Sequence, residues 1–536
     1  MFKFKKTTRF ALSILSGLLM VIAFPFTGSM APLMLIALVP LMLVENDVYS
    51  NNYRAYKVFI HSYITFLIYN TGTTWWIWNA SPGGAIFAFV LNSLIMALVF
   101  QGYHFTKKRL GSKVGYISLL LYWTGFEYLH YQWELSWPWL NLGNTFATLP
   151  QIVQWYTATG VLGGTLWILL CNLFFFRMAD RVFVKKEPWK KQWRSMTTVA
   201  LLIVIPVTIS LIQYATYKET GKDTEVVVTQ PNIDPYNEKF TGSVNDQLNK
   251  ICDLADIHAT SKTDFVLAPE TALPFSFYED EVERIIYYHY LVERKAQWQN
   301  ASLLIGASTK KYFKRKRSRA SKKIYGGPGY EEFYNSSMLI DHLDKPTFIH
   351  KSKLVLGVEK VPFSNVFPFL EQLSIDNGGT SGTLGVEDES QVMRSRGIAF
   401  APVVCYESIY GEFIAQQCRK GAEIIFVITN DGWWKDTPGY KQHMAFSRLR
   451  AIETRKSVAR SANTGTSCFI NQRGDVLQAT GWWKTASIKE TLKRNQKMTF
   501  YTKYGDIIGR SFGGAAIVLL TLSVINRFRK RKGRGI

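Results

Sequence analysis

Between residues 10 and 214 the sequence repeatedly runs apolar for close to 20 residues. About 20 apolar residues wound as a helix cross a hydrocarbon layer of roughly 30 Å. Seven such runs fall at 10–26, 32–44, 58–70, 85–105, 114–130, 156–176 and 196–214, and an eighth at 512–526. The second and third are short. A wholly water-soluble fold is excluded. So is a bare helical bundle, because residues 216–505 form one polar, mixed block. The mean hydropathy of −0.01 averages these unlike parts. An aromatic content of 15% rules out disorder. The expected organisation is a seven-span helical bundle over 1–215, a soluble-type domain over 216–505, and a final span with a basic tail over 506–536.

Charge sets the orientation. Lys3, Lys5, Lys6 and Arg9 precede the first run, and Arg54 and Lys57 separate the second from the third. Lys107, Lys108, Arg109 and Lys113 separate the fourth from the fifth, and seven Lys and Arg, from Arg177 to Arg194 inclusive, separate the sixth from the seventh. The tail after 526 is again basic, through Arg534. The alternate loops, 71–84 and 132–155, hold no Lys or Arg. Short loops rich in Lys and Arg stay cytoplasmic. Both termini are therefore expected in the cytoplasm, with 216–505 on the far side. This accounts for part of the formal net charge of +23 without invoking nucleic acid. The first run reads as a retained span rather than a signal peptide, since Phe24-Pro25-Phe26 follows it instead of a small-residue cleavage site.

The polar block alternates strands and helices. β-branched or apolar runs lie at 226–230, 265–268, 303–306, 337–340, 399–404 and 424–428. Residues 445–460 read as a helix. The runs 467–471 and 476–477 flank Gln472-Arg473-Gly474-Asp475 as a hairpin. Such a pattern predicts a layered α/β domain with chemistry at strand ends.

Three strand ends carry reactive groups: Glu270 after Leu267-Ala268-Pro269, Lys351 after Ile349-His350, and Cys405 after Val403-Val404. A cysteine at a strand-to-helix turn is expected to be exposed, its thiol acidified by the helix-start amides. At an ordinary pKa, deprotonation at pH 7 costs about 2 kcal/mol. A carboxylate matches that task best when desolvation raises its pKa toward neutrality. An ammonium beside them would stabilise a thiolate and then an oxyanion. Carboxylate, ammonium and thiol make a complete acyl-transfer set.

Leu267-Ala268-Pro269-Glu270-Thr271-Ala272, Lys351 with Glu359-Lys360-Val361-Pro362, and Val404-Cys405-Tyr406-Glu407 resemble the nitrilase (carbon–nitrogen hydrolase) superfamily. With the multispan segment and one last span, nearly the whole chain resembles the bacterial apolipoprotein N-acyltransferases. Gln230-Pro231-Asn232, Trp137-Pro138-Trp139-Leu140, Asn430-Asp431-Gly432-Trp433-Trp434, Gln442-His443 and Tyr504-Gly505-Asp506 add to the likeness. The resemblance implies an αββα sandwich on a bundle of about eight spans in the inner membrane, with the catalytic domain periplasmic. It implies Cys405 as nucleophile, Glu270 as base and Lys351 as oxyanion stabiliser, oriented by Glu359. Tyr406 and Glu407 would line the site, and Trp433 and Trp139 would meet substrate. It implies a phospholipid acyl donor, a diacylglyceryl apolipoprotein acceptor, and no cofactor, metal or nucleic acid. The chain departs from the family at Leu356-Gly357-Val358, where Pro-Phe-Gly is usual, and at Phe240, where a Trp is common.

Two other readings share these residues: a membrane-tethered amidase with water as acceptor, and a non-catalytic lipoprotein-binding protein. Of the five cysteines, only Cys405 stands in a catalytic pattern, and no CxxC or His cluster marks a metal. Residues 310–323 carry nine Lys and Arg and no acid. They read either as a solvated loop or as a segment attracted to anionic headgroups.

Overall fold

A computed structural model describes residues 3–343, 345–364 and 382–532. Arg534 of the basic tail lies outside them. The chain divides into two compact units, one of Met1–Trp78, Pro82–Thr216 and Asp506–Ile536, the other of Asn79–Ser81 and Tyr217–Gly505.

The first unit is helical: α1 (Lys6–Ala23), α2 (Val39–Ser50), α3 (Tyr56–Thr74), α4 (Pro82–Leu110), α5 (Ser112–Leu129), α6 (Tyr156–Ala179), α7 (Trp193–Thr216) and a last helix, Ile507–Lys532. Among the described residues, six helical segments are long and apolar enough to cross a membrane. They are Lys6–Ala23, Ala31–Ser50, Pro82–Leu110, Tyr156–Val184, Trp189–Thr216 and Ile507–Phe528. The helices α3, which carries His61 and Asn70, and α5, which carries Lys113 and Glu127, fall short of that apolarity. Small residues allow close helix approach in such a bundle. A Cβ on Gly125 of α5 would stand 3.0 Å from the Gly513 Cα on the last helix. Several charges buried here are paired: Arg9 with Asp47 at 2.9 Å, and Glu45 with Lys107 at 2.5 Å and His104 at 2.7 Å; the buried Glu127 is held instead by hydrogen bonds from Thr165, Trp123 and the Leu142 amide. Residues 132–155, read as a loop, coil into three 3-10 turns, the buried Pro138–Leu140 and Leu142–Thr148 and the partly buried Pro150–Ile152.

The second unit holds two sheets. The first contains β1 (Lys222–Gln230), β2 (Phe265–Leu267), β3 (Leu273–Tyr278), β4 (Ser302–Phe313), β5 (Lys322–Lys323), β6 (Tyr330–Ile340) and β7 (Thr347–His350). The second contains β8 (Met393–Ser395), β9 (Ile398–Val404), β10 (Ile424–Thr429), β11 (Val458–Ala462), β12 (Cys468–Ile470) and β13 (Val476–Ala479). The last strand, β14 (Ala486–Arg494), returns to pair antiparallel with β1 along its full length. The spatial orders are β14-β1-β2-β4-β6-β5 and β13-β12-β11-β10-β9-β8. β1, β2 and β4 run parallel, as do β9, β10 and β11.

Side chains alternate across a strand, so each sheet has two apolar faces to cover. Val226, Val228, Phe265 and Leu267 meet Phe400, Val404, Phe426 and Ile428 between the sheets. Val227, Val266 and Leu303 point the other way, onto Leu248 and Ile251 of α8 (Val244–Asp256) and Leu291 of α9 (Ile286–Gln297). α10 (Gly411–Arg419) and α11 (Pro438–Thr454) pack on the second sheet. The result is a four-layer αββα sandwich. The helix read over 445–460 spans Pro438–Thr454 instead. Arg455 turns left-handed at φ 53°, and Val458–Ala462 is a buried parallel strand.

Candidate active site

Pro269 cannot donate to a sheet ladder, so the chain leaves β2 there. Glu270 follows, and Thr271 takes φ 48°. The turn lies tight on β4, where a Cβ on Gly306 would stand 2.6 Å from the Glu270 Cα and 2.4 Å from the Thr271 amide. Glu270 is buried. Its Oε1 accepts from Asn335 Nδ2 at 2.8 Å and from Lys351 Nζ at 3.3 Å, and its Oε2 accepts from the Asn430 amide at 3.0 Å.

Lys351 leaves β7 with its ammonium 1% exposed. Nζ also donates to Glu359 Oε1 at 2.9 Å, so the cation sits between two carboxylates. Asn335 spans the same pair, donating to Glu359 Oε1 at 2.9 Å, and the Val355 amide fixes Glu359 Oε2 at 2.8 Å. The Glu359 loop thus presents its carboxylate although Leu356-Gly357-Val358 departs from the usual stretch.

Cys405 stands at the turn out of β9 with φ 51°. Strain of this kind persists where the surroundings fix it. The surroundings include Glu407, whose carboxylate accepts from the amides of Val404 (2.8 Å), Ser352 (2.6 Å) and Lys353 (3.3 Å). Glu407 therefore ties the strand end that bears the thiol to the segment that bears Lys351. Burial pushes the Glu407 carboxyl up to about 7, against these amide bonds. Tyr406 is buried edge-on against Tyr410, with ring centroids 5.4 Å apart.

Two expectations about ionisation are corrected. The thiol is 8% exposed rather than open. Burial, then the negative charge of Glu270, push it well above its ordinary range, although Lys351 opposes them. Burial alone would raise Glu270 as well. Lys351, Asn335 and Lys239 outweigh it and hold the carboxyl below its ordinary range. Burial would lower Lys351, but Glu359, Glu270 and Cys405 raise it instead. The resting site is carboxylate, ammonium and neutral thiol.

Behind the thiol lies a second buried network. Asp431 pairs with Arg460 at 2.6 Å and with His443 Nδ1 at 2.9 Å. His443 Nε2 lies 3.0 Å from the Cys405 carbonyl and 2.9 Å from Ser408 Oγ. Cys405, Asp431 and His443 present donor atoms within 4.8 Å of one another, the arrangement nearest to a metal site among the described residues. The Asp431 carboxylate is already committed to a guanidinium, which does not suit a divalent ion.

Trp433 is half-buried, edge-on to Tyr236 with centroids 5.2 Å apart. Trp139, in the helical unit, is 1% exposed. Its ring lies 4.9 Å from that of Trp76 and 5.8 Å from that of Trp137. Sequence reasoning missed Asn335, Lys239 and Arg460. Asn335 precedes Ser336-Ser337 in a mixed strand and carries no local mark, whereas Arg460, between Val458-Ala459 and Ser461-Ala462, is a lone charge in a short uncharged strand. That was the available signal.

Residues 16–174 match the family model "Apolipoprotein N-acyltransferase N-terminal domain", and residues 226–496 match "Carbon-nitrogen hydrolase". The chain is similar to an apolipoprotein N-acyltransferase of Chlorobaculum tepidum, 30% identical over 97% of each chain. It is similar to another from Geobacter metallireducens, 28% identical over 95% of this chain and 94% of that one. Among solved structures, an amidase from Nesterenkonia sp. aligns with 15% identity and a TM-score of 0.36, over 55% of this chain and 97% of that one.

Proposed function

The chain belongs to the apolipoprotein N-acyltransferase family, and from that premise we propose how its residues carry out lipoprotein N-acylation. Cys405 attacks an ester carbonyl of a membrane phospholipid. Glu270 takes the thiol proton as the S–C bond forms. Lys351 faces the oxyanion of the tetrahedral intermediate. On collapse, Glu270 returns the proton to the leaving alcohol, releasing lysophospholipid and leaving an acyl-thioester on Cys405. The free α-amine of an S-diacylglyceryl cysteine at an apolipoprotein N-terminus then attacks the thioester. Glu270 takes the amine proton and passes it to the departing thiolate. The products are an N-acylated lipoprotein and the free thiol.

The observation that carries this reading is the Lys351 ammonium, held between Glu270 and Glu359 and acting electrostatically on Cys405. A neutral resting thiol fits an anionic base that is already charged: the proton moves only when an electrophile arrives. The high thiol pKa also protects Cys405 from oxidation, since the thiolate is the reactive form. All five cysteines are free and buried.

The helical unit anchors the enzyme in the inner membrane as a multi-pass protein. By the lysine and arginine asymmetry of the short loops, both termini are cytoplasmic and the sandwich is periplasmic. Both substrates carry acyl chains, and each methylene drawn from lipid into water costs about 0.8 kcal/mol. A membrane-held enzyme avoids that extraction. Trp433, half-buried, is the aromatic residue assigned to substrate, whereas Trp139, buried against Trp76 and Trp137, has no open face to offer one.

The test is mass spectrometry of Cys405 after incubation with phospholipid alone, then with a diacylglyceryl peptide. A stable acyl adduct that transfers only to the peptide amine is expected, and Cys405→Ala should form none. Turnover of the adduct by water alone would instead make the protein a hydrolase. A normal adduct level in Cys405→Ala would reject the nucleophile.

A further inference from the structure

A second lysine is buried at the same centre. Lys239 lies in the segment between β1 and α8, beside the Phe240 that departs from the family pattern, and is 3% exposed. Its position is built. The Lys239 amide donates to the Asp234 carbonyl at 2.9 Å, and Gln247 Nε2 donates to the Lys239 carbonyl at 3.1 Å. Its Nζ donates to the Glu270 carbonyl at 3.2 Å and to Thr271 Oγ1. These are groups of the turn that aims the Glu270 carboxylate, and Thr271 is its left-handed residue. The ammonium also interacts electrostatically with the Glu270 carboxylate and with Cys405.

We propose that Lys239 is a positioning residue for acyl transfer: it clamps the Glu270–Thr271 turn and supplies a second cation that stabilises the negative charge developing on Cys405 as Glu270 takes the thiol proton. Lys351 donates to the Glu270 carboxylate itself and is shared with Glu359, so its charge is divided between two carboxylates. Lys239 is bound to neutral oxygens, a backbone carbonyl and a hydroxyl. Its charge is left to act through space on the base and the sulfur.

The two lysines differ in how firmly they hold their protons. The titratable groups acting on Lys239 are the Glu270 carboxylate after β2 and the Cys405 thiol after β9. Lys351 and Glu359 stand beyond them, and Asp234 and Glu238 lie on its own segment. Burial lowers Lys239 to about 8, with Glu270 and Cys405 only partly restoring it. Lys351 stays protonated across the working range. As pH rises through about 8, Lys239 loses its charge while Glu270 and Lys351 keep theirs. The acylation rate should fall on that alkaline limb.

The experiment follows acyl-adduct formation on Cys405 in the full-length protein in detergent with phospholipid alone, from pH 5 to pH 10. Wild type is compared with Lys239→Arg, which keeps a permanent charge, and Lys239→Met, which removes it. Thermal unfolding of each variant checks the fold. The expected result is an alkaline limb near pH 8 in wild type that moves above pH 9.5 in Lys239→Arg. In Lys239→Met the rate at pH 7 drops at least tenfold and the limb disappears. Identical profiles in all three would overturn the proposal. So would equal losses in both variants with an unmoved limb, which mark a purely structural lysine. Should Lys239→Met not fold, the Arg variant alone decides, because only a titrating Lys239 lets the limb move. The inference rests on Glu270 as base. Normal acylation by Glu270→Gln would sink that reading, whereas an inactive Glu270→Gln with unmoved limbs in the Lys239 variants would sink only this one.

Discussion

A thiol above its ordinary range beside a carboxylate below its own looks, at first, badly matched for proton transfer. The mismatch is a consequence of charge balance. Two ammonium groups and a side-chain amide surround one carboxylate, so the site favours the anion on oxygen until bond formation to sulfur compensates. Asn335 shows how finely this is set, since its single amide donates to both Glu270 and Glu359. Asn335→Leu keeps the volume and deletes both bonds. Because the wild-type carboxyl is depressed, activity is retained at neutral pH and lost only as acid protonates Glu270. Without Asn335 its pKa rises, and the acid limb of the acylation profile should shift upward, by a unit or so if one charge-assisted bond is worth about 1.5 kcal/mol. An acid limb that stays in place would show that the bonds do not tune the base. Glu270, Lys351 and Cys405 were legible in sequence because each stands in a short motif at a strand exit. Asn335 and Lys239 were not, because their partners are 65 and 31 residues away and no local pattern marks a side chain that acts on another's turn.

At the scale of elements, the site depends on how closely β2 and β4 approach beyond their paired residues. Gly306 sits where any side chain would press on the backbone of Glu270 and Thr271, and backbone cannot swing aside as a side chain can. Gly306→Ala should therefore push the base away from Lys351, at a stability cost of about 1–3 kcal/mol typical of overpacking. The expected outcome is at least a tenfold loss of acyl-adduct formation with a modest drop in melting temperature. An unchanged acylation rate would mean the turn can relax without moving the carboxylate. The strands of the parallel cores were readable from their β-branched runs. One edge was not: β14 mixes charged, polar and apolar residues, Ile488-Lys489-Glu490-Thr491-Leu492, and reads as surface until it is seen paired with β1. The overextended helix failed for a specific reason. Arg455 closes α11 in a left-handed turn without a glycine, and the strand after it hides an arginine that a helical reading leaves on the surface. Arg460 is instead fully buried on Asp431.

For the molecule as a whole, the two units obey different solvents, and one rule of charge must serve both. The short loops of the helical unit divide cleanly into a basic set and a set without Lys or Arg, whereas the sandwich carries its own basic run at 310–323. That run does not oppose the orientation proposed above, because long domains translocate largely regardless of charge and only short loops are counted. Its cations are local in effect. Lys310 and Lys311 face Glu331 and Glu279, while Lys314, Arg315 and Lys316 make no ion pair among the described residues. The buried state of all five native cysteines makes the orientation directly testable without first removing them. Lys190, between α6 and α7, and Lys323, in the sandwich, are both exposed. A cysteine at each, introduced singly, reports its own side. With a membrane-impermeant maleimide on intact spheroplasts, Lys323→Cys should label at once and Lys190→Cys only after permeabilisation. Labelling of Lys190→Cys from outside, or protection of Lys323→Cys, would invert the topology. It would place the acyl transfer of Cys405 on the cytoplasmic face, and the charge asymmetry of the short loops would then need a cause other than orientation.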